Sequence, residues 1–294
     1  MAHMGFILGN SGVRYGVFDG HQVGARGGIV GSSSGSTVGA SGSIVGSPGS
    51  IVGNSGRIPW SDIEGCGAEL RRIADASGAN LALAGSVRDD LLGVLLKHVP
   101  RRLLPVLVAR RDFELPIENL YERPEEAGTD RLLNCIAARE RAGGRSSVVV
   151  DFGTAVSISV VSADGAFLGG LIAGGWGSIA RGIQLSAPRL PLVAPSPADG
   201  FVARHTAAAL QAGIYWEVAA GVRTMLAGIL KTLPGPSKVF ATGGEAELFC
   251  PGIPEVDELV PDLTLEGLFH AFRLGAGGSD GLGPPKGRPP AWRR

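Results

Sequence analysis

The sequence predicts an α/β protein. Strand-like apolar segments alternate with helix-like ones along most of the chain, and a strand–glycine turn–strand pattern occurs twice. Neither a paired-cysteine framework nor a run of 18 apolar residues points to another class.

The elements follow in order. Phe6–Leu8 and Val13–Phe18 flank the turn at Asn10–Gly12, a hairpin signature. Leu70–Ala76 and Arg88–Lys97 have helical patterning, with Leu81–Ala84 a buried strand between them. Thr129–Ala142 is a helix candidate, and Val148–Val150 is a short apolar strand. Val156–Val161 and Ala166–Leu168 read as strands joined by a turn at Ala163–Gly165. Thr206–Leu230 keeps helical periodicity with small residues throughout, and Val239–Ala241 is a strand ending in Gly243 and Gly244 before a helix from Glu245.

The chain has 294 residues, enough for one large domain or two ordinary ones. Its 44% hydrophobic and 18% charged residues exclude wholesale disorder. Lys+Arg and Asp+Glu balance at 27 each, which argues against a polybasic nucleic-acid or membrane-surface binder. Cys66, Cys135 and Cys250 are scattered and fit neither a disulfide framework nor a zinc site. A reducing, cytoplasmic setting is expected, without a signal peptide or membrane span.

Glycine is in excess, at 47 residues, much of it in the Gly/Ser-rich stretch 24–56. Within it Gly35–Gly39, Gly42–Gly46 and Gly49–Gly53 repeat a Gly-Ser-Thr/Ile-Val-Gly unit at a seven-residue interval. So many glycines oppose a helix, so the stretch reads as a low-complexity insert, flexible or loosely β-like. It lacks the Lys or acid of a phosphate-cradling loop. From Gly275 onward Gly and Pro prevent regular structure, and 275–294 is expected to be a tail.

The two hairpins align. Gly9 falls on Gly153 and Asn10 on Thr154, and Asp-Gly turns follow at Asp19–Gly20 and Asp164–Gly165. Each glycine turn presents backbone N–H groups and a small polar side chain at a strand end, and two such turns facing each other make a cleft for a polyphosphate. Two ordinary hairpins would also show this pattern, because turn glycines are common.

Three motifs together resemble one family closely. Asp151–Ala155 is similar to the second phosphate motif of the acetate and sugar kinase/Hsp70/actin superfamily, and Thr242–Gly244 to its adenosine motif. Combined with Gly128–Arg131, they resemble the type III pantothenate kinases. Tyr121, Leu168–Gly170, Leu190–Pro191, His205–Thr206 and Pro261–Leu268 follow in family order, and the similarity covers about Met4–Phe18 and Leu81–Phe272. The resemblance implies two ribonuclease-H-like, actin-like ATPase halves around a central cleft. Residues 1–127 would form the first, with the 24–56 insert, and 128–274 the second.

It also implies an activity: ATP-dependent phosphorylation of pantothenate, the first step towards coenzyme A. Phosphoryl transfer to an alcohol requires held phosphates, a placed metal and a base for the hydroxyl proton. No P-loop pattern occurs. Gly9, Asn10, Ser11 and Gly12 with Gly153 and Thr154 would hold the phosphates of ATP, and Gly243 and Gly244 its adenosine. Asp130 would be the general base, although an ordinary helix-start Asp would look the same. Tyr121, Gly128, Thr129, Arg131 and Thr206 would bind pantothenate; a core Tyr and a helix N-cap Thr are alternatives for Tyr121 and Thr206. Asp151 would hold a monovalent cation, K⁺ or NH₄⁺, unless it is a hydrogen-bonded turn Asp. Mg²⁺ would accompany ATP. A homodimer through the helix from Thr206 is implied as well.

Several positions depart from the family. Ile7 stands where the first phosphate motif has an Asp, and isoleucine cannot ligate Mg²⁺. Ser157 replaces a usual Thr, Ser159 a usual Asp, and Gly174 a usual Pro. Asp19, Glu245 and Glu247 are possible substitutes for the missing acid. The acceptor side survives better than the metal side. The alternative expectation is therefore an impaired relative that senses a ligand or acts as a transcription accessory protein.

Overall fold

The computed structural model describes residues 2–10, 12–19, 55–59, 63–98, 104–198 and 200–275. Most of the Gly/Ser stretch, Ser11 and residues 276–294 lie outside the described residues. The chain divides into two compact units, Met1–Glu114 with Leu268–Arg294, and Leu115–Gly267. The 127/128 boundary read from the sequence falls inside the second unit.

The first unit holds β1 (Ala2–Gly9), β2 (Gly12–Asp19), β3 (Gly56–Pro59), α1 (Ile63–Ser77), β4 (Leu81–Ser86), α2 (Asp89–His98) and β5 (Val106–Val108). Its sheet order is β3-β2-β1-β4-β5. The strands β3, β2 and β1 are antiparallel neighbours, while β4 and β5 continue from β1 in parallel. Alternation sorts the side chains of β1: Met4, Phe6 and Leu8 pack with Cys66, Leu70, Ile73 and Ala74 of α1 and Leu92, Leu95 and Leu96 of α2. His3 and Ile7 belong to the opposite face. There the final helix α7 (Leu263–Gly275) brings Phe269 onto Phe18, with ring centroids 4.9 Å apart, and Phe272 edge-on to His3.

The second unit holds α3 (Thr129–Ala142), β6 (Ser147–Phe152), β7 (Ala155–Val161), β8 (Phe167–Gly174), α4 (Trp176–Ser186), α5 (Thr206–Thr232), β9 (Lys238–Thr242), α6 (Ala246–Phe249) and β10 (Glu258–Leu259). Its sheet order, β10-β9-β6-β7-β8, repeats the first. Again a three-stranded antiparallel meander is extended by two parallel strands on the side of its first strand. Both sheets have the strand order of a ribonuclease-H-like unit, as the duplicated hairpins predict. One face of β6 and β7 (Val148, Val150, Phe152, Val156, Ile158) packs on Ile214, Val218, Val222 and Leu226 of α5. The other face carries α3, whose Ala137, Ala138 and Ala142 meet Val149 and Phe240.

Most observed elements extend the expected ones by one to several residues at one end or both; α3 coincides with the expected Thr129–Ala142, while α2 and β8 each begin one residue later than expected. The short strands β3, β5 and β10 offer too few residues for a period to register. The helix expected from Glu245 is brief, with Glu245 at its N-cap position. Gly275 is still helical. The three cysteines are free thiols. Among the described residues, no helix is long and apolar enough to cross a membrane.

Candidate active site

The site is built at the C-terminal ends of β6 and β9 and the head of α3, all within the second unit. Gly128 occupies the N-cap position of α3 and offers no capping side chain. Asp130, in the first turn, turns its own carboxylate back, so that Oδ1 accepts from the Arg131 backbone N–H at 2.8 Å. A Cβ on Gly128 would stand 2.6 Å from that same oxygen. Glycine here leaves room for that carboxylate rather than meeting a backbone demand, since its φ of −58° suits any residue. Burial raises the Asp130 carboxyl above its ordinary value, and the backbone N–H and charge of Arg131 offset this only in part. A desolvated carboxylate is a better proton acceptor than one in water.

Arg131 is buried, at 5% exposure. Its guanidinium donates to the Tyr121 hydroxyl at 2.6 Å, to Ser159 Oγ at 3.1 Å and to the Ile158 carbonyl at 3.3 Å. It also lies over the rings of Tyr121 and Phe167. All three oxygen partners are uncharged, and no ion pair to Arg131 occurs among the described residues. Gly169 and Gly170 of β8, at φ +114° and +148°, make room for this group. A Cβ at Gly169 would press the Tyr121 ring at 3.0 Å, and one at Gly170 would lie 1.9 Å from the Ile158 carbonyl oxygen.

Asp151 sits near the end of β6, paired in register with Thr242 of β9. Its Oδ2 accepts from Asn134 Nδ2 at 3.0 Å. Asn134 is one helical turn beyond Asp130, so the helix spacing places the two on one face. Gly243, at φ +101°, approaches so closely that a Cβ would stand 2.6 Å from Asp151 Oδ1 and 2.4 Å from the Phe152 carbonyl oxygen. The Thr242–Gly244 turn is fixed by Glu245 N–H donating to the Phe152 carbonyl at 3.1 Å and by Thr242 Oγ1 donating to the Pro261 carbonyl at 3.2 Å.

The Gly153–Thr154 turn joins β6 to β7, and Thr154 is exposed. Its carbonyl accepts from Gly175 N–H at 3.3 Å and from Ser178 Oγ at 2.6 Å, which ties the turn to the head of α4. A Cβ on Gly175 would lie 2.1 Å from the Gly153 carbonyl oxygen. Gly174, where the family generally has Pro, ends β8 opposite Ala155.

Other expected residues stand elsewhere. Thr206 is the first residue of α5 and is exposed; the N-cap reading for it is corrected, because His205 caps the helix by accepting the Ala208 N–H at Nδ1, 3.2 Å. In the first unit, Gly9 pairs with Gly12 across the β1–β2 turn, and Asn10 is exposed there. This is the same topological position as Gly153–Thr154. Ile7 is buried in β1 between Arg14 and Gly85, so no carboxylate arises from that strand position. Glu247 is exposed on α6, and Glu245 is half-buried beside the end of β6. Among the described residues, no group of three or more His, Cys, Asp or Glu is gathered as a metal site. Sequence reasoning missed Asn134, whose signal is a polar residue at four-residue spacing from Asp130 inside an otherwise apolar helical run. It missed Thr264 as well.

A family model described as type III pantothenate kinase matches residues 61–228. The type III pantothenate kinase of Acidiphilium cryptum is 35% identical over 209 residues, covering 69% of this chain and 78% of that protein. That of Phenylobacterium zucineum is 37% identical over 180 residues, covering 60% and 70%. A solved structure, a conserved putative Baf family transcriptional activator from Campylobacter jejuni, matches with a TM-score of 0.51 at 16% identity. It covers 92% of this chain and 98% of that one, a likeness of fold.

Proposed function

The chain belongs to the type III pantothenate kinase family, and we infer that it transfers the γ-phosphoryl group of ATP to the primary hydroxyl of pantothenate. The products are 4′-phosphopantothenate and ADP. The observation that carries this reading is the Asp130 carboxylate, desolvated at the head of α3 beside a buried arginine. As the hydroxyl oxygen bonds to the γ-phosphorus, the bond to the bridging β–γ oxygen breaks and ADP leaves. The hydroxyl proton passes to Asp130. Burial favours the neutral form of that carboxyl, so it drives the proton in the required direction.

Arg131 and Tyr121 hold the acceptor. Pantothenate is itself a carboxylate, and a buried guanidinium that donates to the neutral oxygens of Tyr121, Ser159 and Ile158 is suited to an anion. Gly128 and Thr129 complete that side, and Thr206, exposed at the start of α5, is assigned to pantothenate by the family resemblance alone. Backbone amides of the Gly153–Thr154 turn take phosphate oxygens and Gly243 and Gly244 the adenosine; within the first unit, the topologically equivalent turn at Gly9, Asn10 and Gly12 offers the same kind of backbone donors. The donor set fits a hard cation: Asp151 would offer an oxygen ligand to K⁺ or NH₄⁺, and Mg²⁺ would accompany the nucleotide. Such ions supply charge stabilisation for the transferring phosphoryl group. Ile7 contributes nothing to them, so turnover is lower than an acid at that position would permit.

A homodimer in the cytoplasm completes the proposal. Phe201 stacks on Trp216 of α5 with centroids 4.5 Å apart yet is 80% exposed, and Leu192 and Leu185 are exposed nearby in sequence. Apolar surface of this kind is suited to a second copy. The alternative, a ligand-sensing or transcription accessory protein, is not favoured, because the curated relatives are kinases. The test is ADP release on adding pantothenate with ATP, Mg²⁺ and K⁺. Asp130→Asn is expected to lower kcat by about 10²–10⁴-fold. Unchanged turnover in that variant, or ADP release indifferent to pantothenate, overturns the reading.

A further inference from the structure

We propose that Asn134 and Thr264 are positioning residues for phosphoryl transfer, forming a hydrogen-bonded relay that sets the Asp151 carboxylate for its cation. The proposal rests on the reading of Asp151 as a cation ligand. Asn134 is 1% exposed and Thr264 6% exposed. Thr264 Oγ1 donates to Asn134 Oδ1 at 2.7 Å, and Asn134 Nδ2 donates to Asp151 Oδ2 at 3.0 Å. The relay has one polarity. Flipping the amide would set its carbonyl against the carboxylate and its NH₂ against the hydroxyl, losing the bond to Asp151 and leaving buried groups mispaired.

The choice of a neutral donor matters. A Lys or Arg beside Asp151 would hold the carboxylate in place but cancel the charge that attracts a cation. An amide N–H fixes the position and leaves the charge in place. The relay also depends on the seating of α7 against α3, because Thr264 lies in the first turn of α7 and Asn134 mid-way along α3. Gly267 permits that seating: a Cβ there would lie 1.9 Å from the Leu133 carbonyl oxygen. Arg141 of α3 clamps the same pair of helices, donating to both carboxylate oxygens of Glu266 at 2.7 Å. The two helices are thus held in register around a two-bond path to Asp151.

The experiment compares wild type with Asn134→Ala, Thr264→Val and Thr264→Ser. Thr264→Val keeps the shape and removes the donor, so it serves if Asn134→Ala does not fold. Two readouts are taken: the K⁺ concentration for half-maximal turnover, and the K⁺-dependent shift in melting temperature without nucleotide or pantothenate. Asn134→Ala is expected to raise the half-maximal K⁺ about 10–100-fold, lowering kcat at fixed K⁺ while pantothenate KM stays within about twofold. Thr264→Val should move both readouts in the same direction by a smaller factor, and Thr264→Ser should resemble wild type. Wild-type K⁺ response in both Asn134→Ala and Thr264→Val overturns the relay. Absence of any pantothenate-dependent ADP release by wild type overturns the kinase reading instead, while the melting shift still tests the relay.

Discussion

The Arg131 guanidinium donates to the Tyr121 hydroxyl at 2.6 Å, across ten residues of chain and over the tilted face of the same ring. Tyr121 thus positions a buried charge that would otherwise rest on Ser159 and one carbonyl. Removing its hydroxyl in Tyr121→Phe leaves the ring, and with it the packing on Phe167. Hydrogen bonds to charged groups are worth about 1.5–3 kcal/mol. Steady-state kinetics should therefore show pantothenate KM raised by about tenfold or more, with kcat within a few-fold of wild type. A fall in kcat at unchanged KM would place the hydroxyl in the chemical step instead.

Gly128→Ala tests the close approach at the head of α3. The new methyl would stand 2.6 Å from Asp130 Oδ1, and the flexible carboxylate is what gives way. Misplacing a reacting group by about 1 Å costs on the order of 10²-fold in rate. The expected result is a loss in kcat of that order with a melting temperature close to wild type, because the backbone at Gly128 accepts alanine. Equal losses in stability and rate would show that the helix start had moved, not the side chain alone.

Much of this arrangement was legible in the sequence, and the reasons are local. The duplicated hairpins announced the repeated strand order, because a glycine turn between two apolar runs is a short-range signal. The Thr129–Ala142 helix was legible from its pattern; in the structure Gly143 closes it in the left-handed region. Asn134 was not, because its importance depends on Thr264, 130 residues away, and no local pattern joins them. The cap of α5 was misread for a related reason: Thr and His can each stand at such a position, and only backbone geometry decides which residue is half outside the helix. Ser159 read as a lost acid, whereas in the fold it is a neutral partner for Arg131.

The raised pKa of Asp130 gives two linked pH effects. Because the folded state favours the neutral carboxyl, its contribution to stability is fully present below the unfolded value, near 3.8, and is lost as pH rises through the higher folded value. Asp130→Asn removes that loss. Melting curves should show the variant more stable than wild type near neutrality and converging with it in acid. Activity moves the other way, since the base must be ionised. The acid limb of wild-type kcat/KM should lie above the ordinary carboxylate range, and a limb at or below 3.8 would contradict the role of burial.

Ile7→Asp separates the metal requirement from the core requirement. Ile7 is 7% exposed in β1, between Arg14 on one neighbouring strand and Gly85 on the other. An unpaired carboxylate there is expensive without a partner, so the melting temperature in the absence of nucleotide should fall. With Mg²⁺ and ATP present the same carboxylate gains a cation, and the deficit should shrink as nucleotide rises, since ligand bound only to the native state stabilises it. If the remaining site is intact, kcat should increase, by up to about 10² if the acid restores a preorganised contact to the phosphates. Ile7→Asn is the control: it carries the polar burial without the charge, so it should lose stability and gain no rate. A gain in Ile7→Asn equal to that in Ile7→Asp would mean that relief of packing in β1, not charge near the nucleotide, limits turnover.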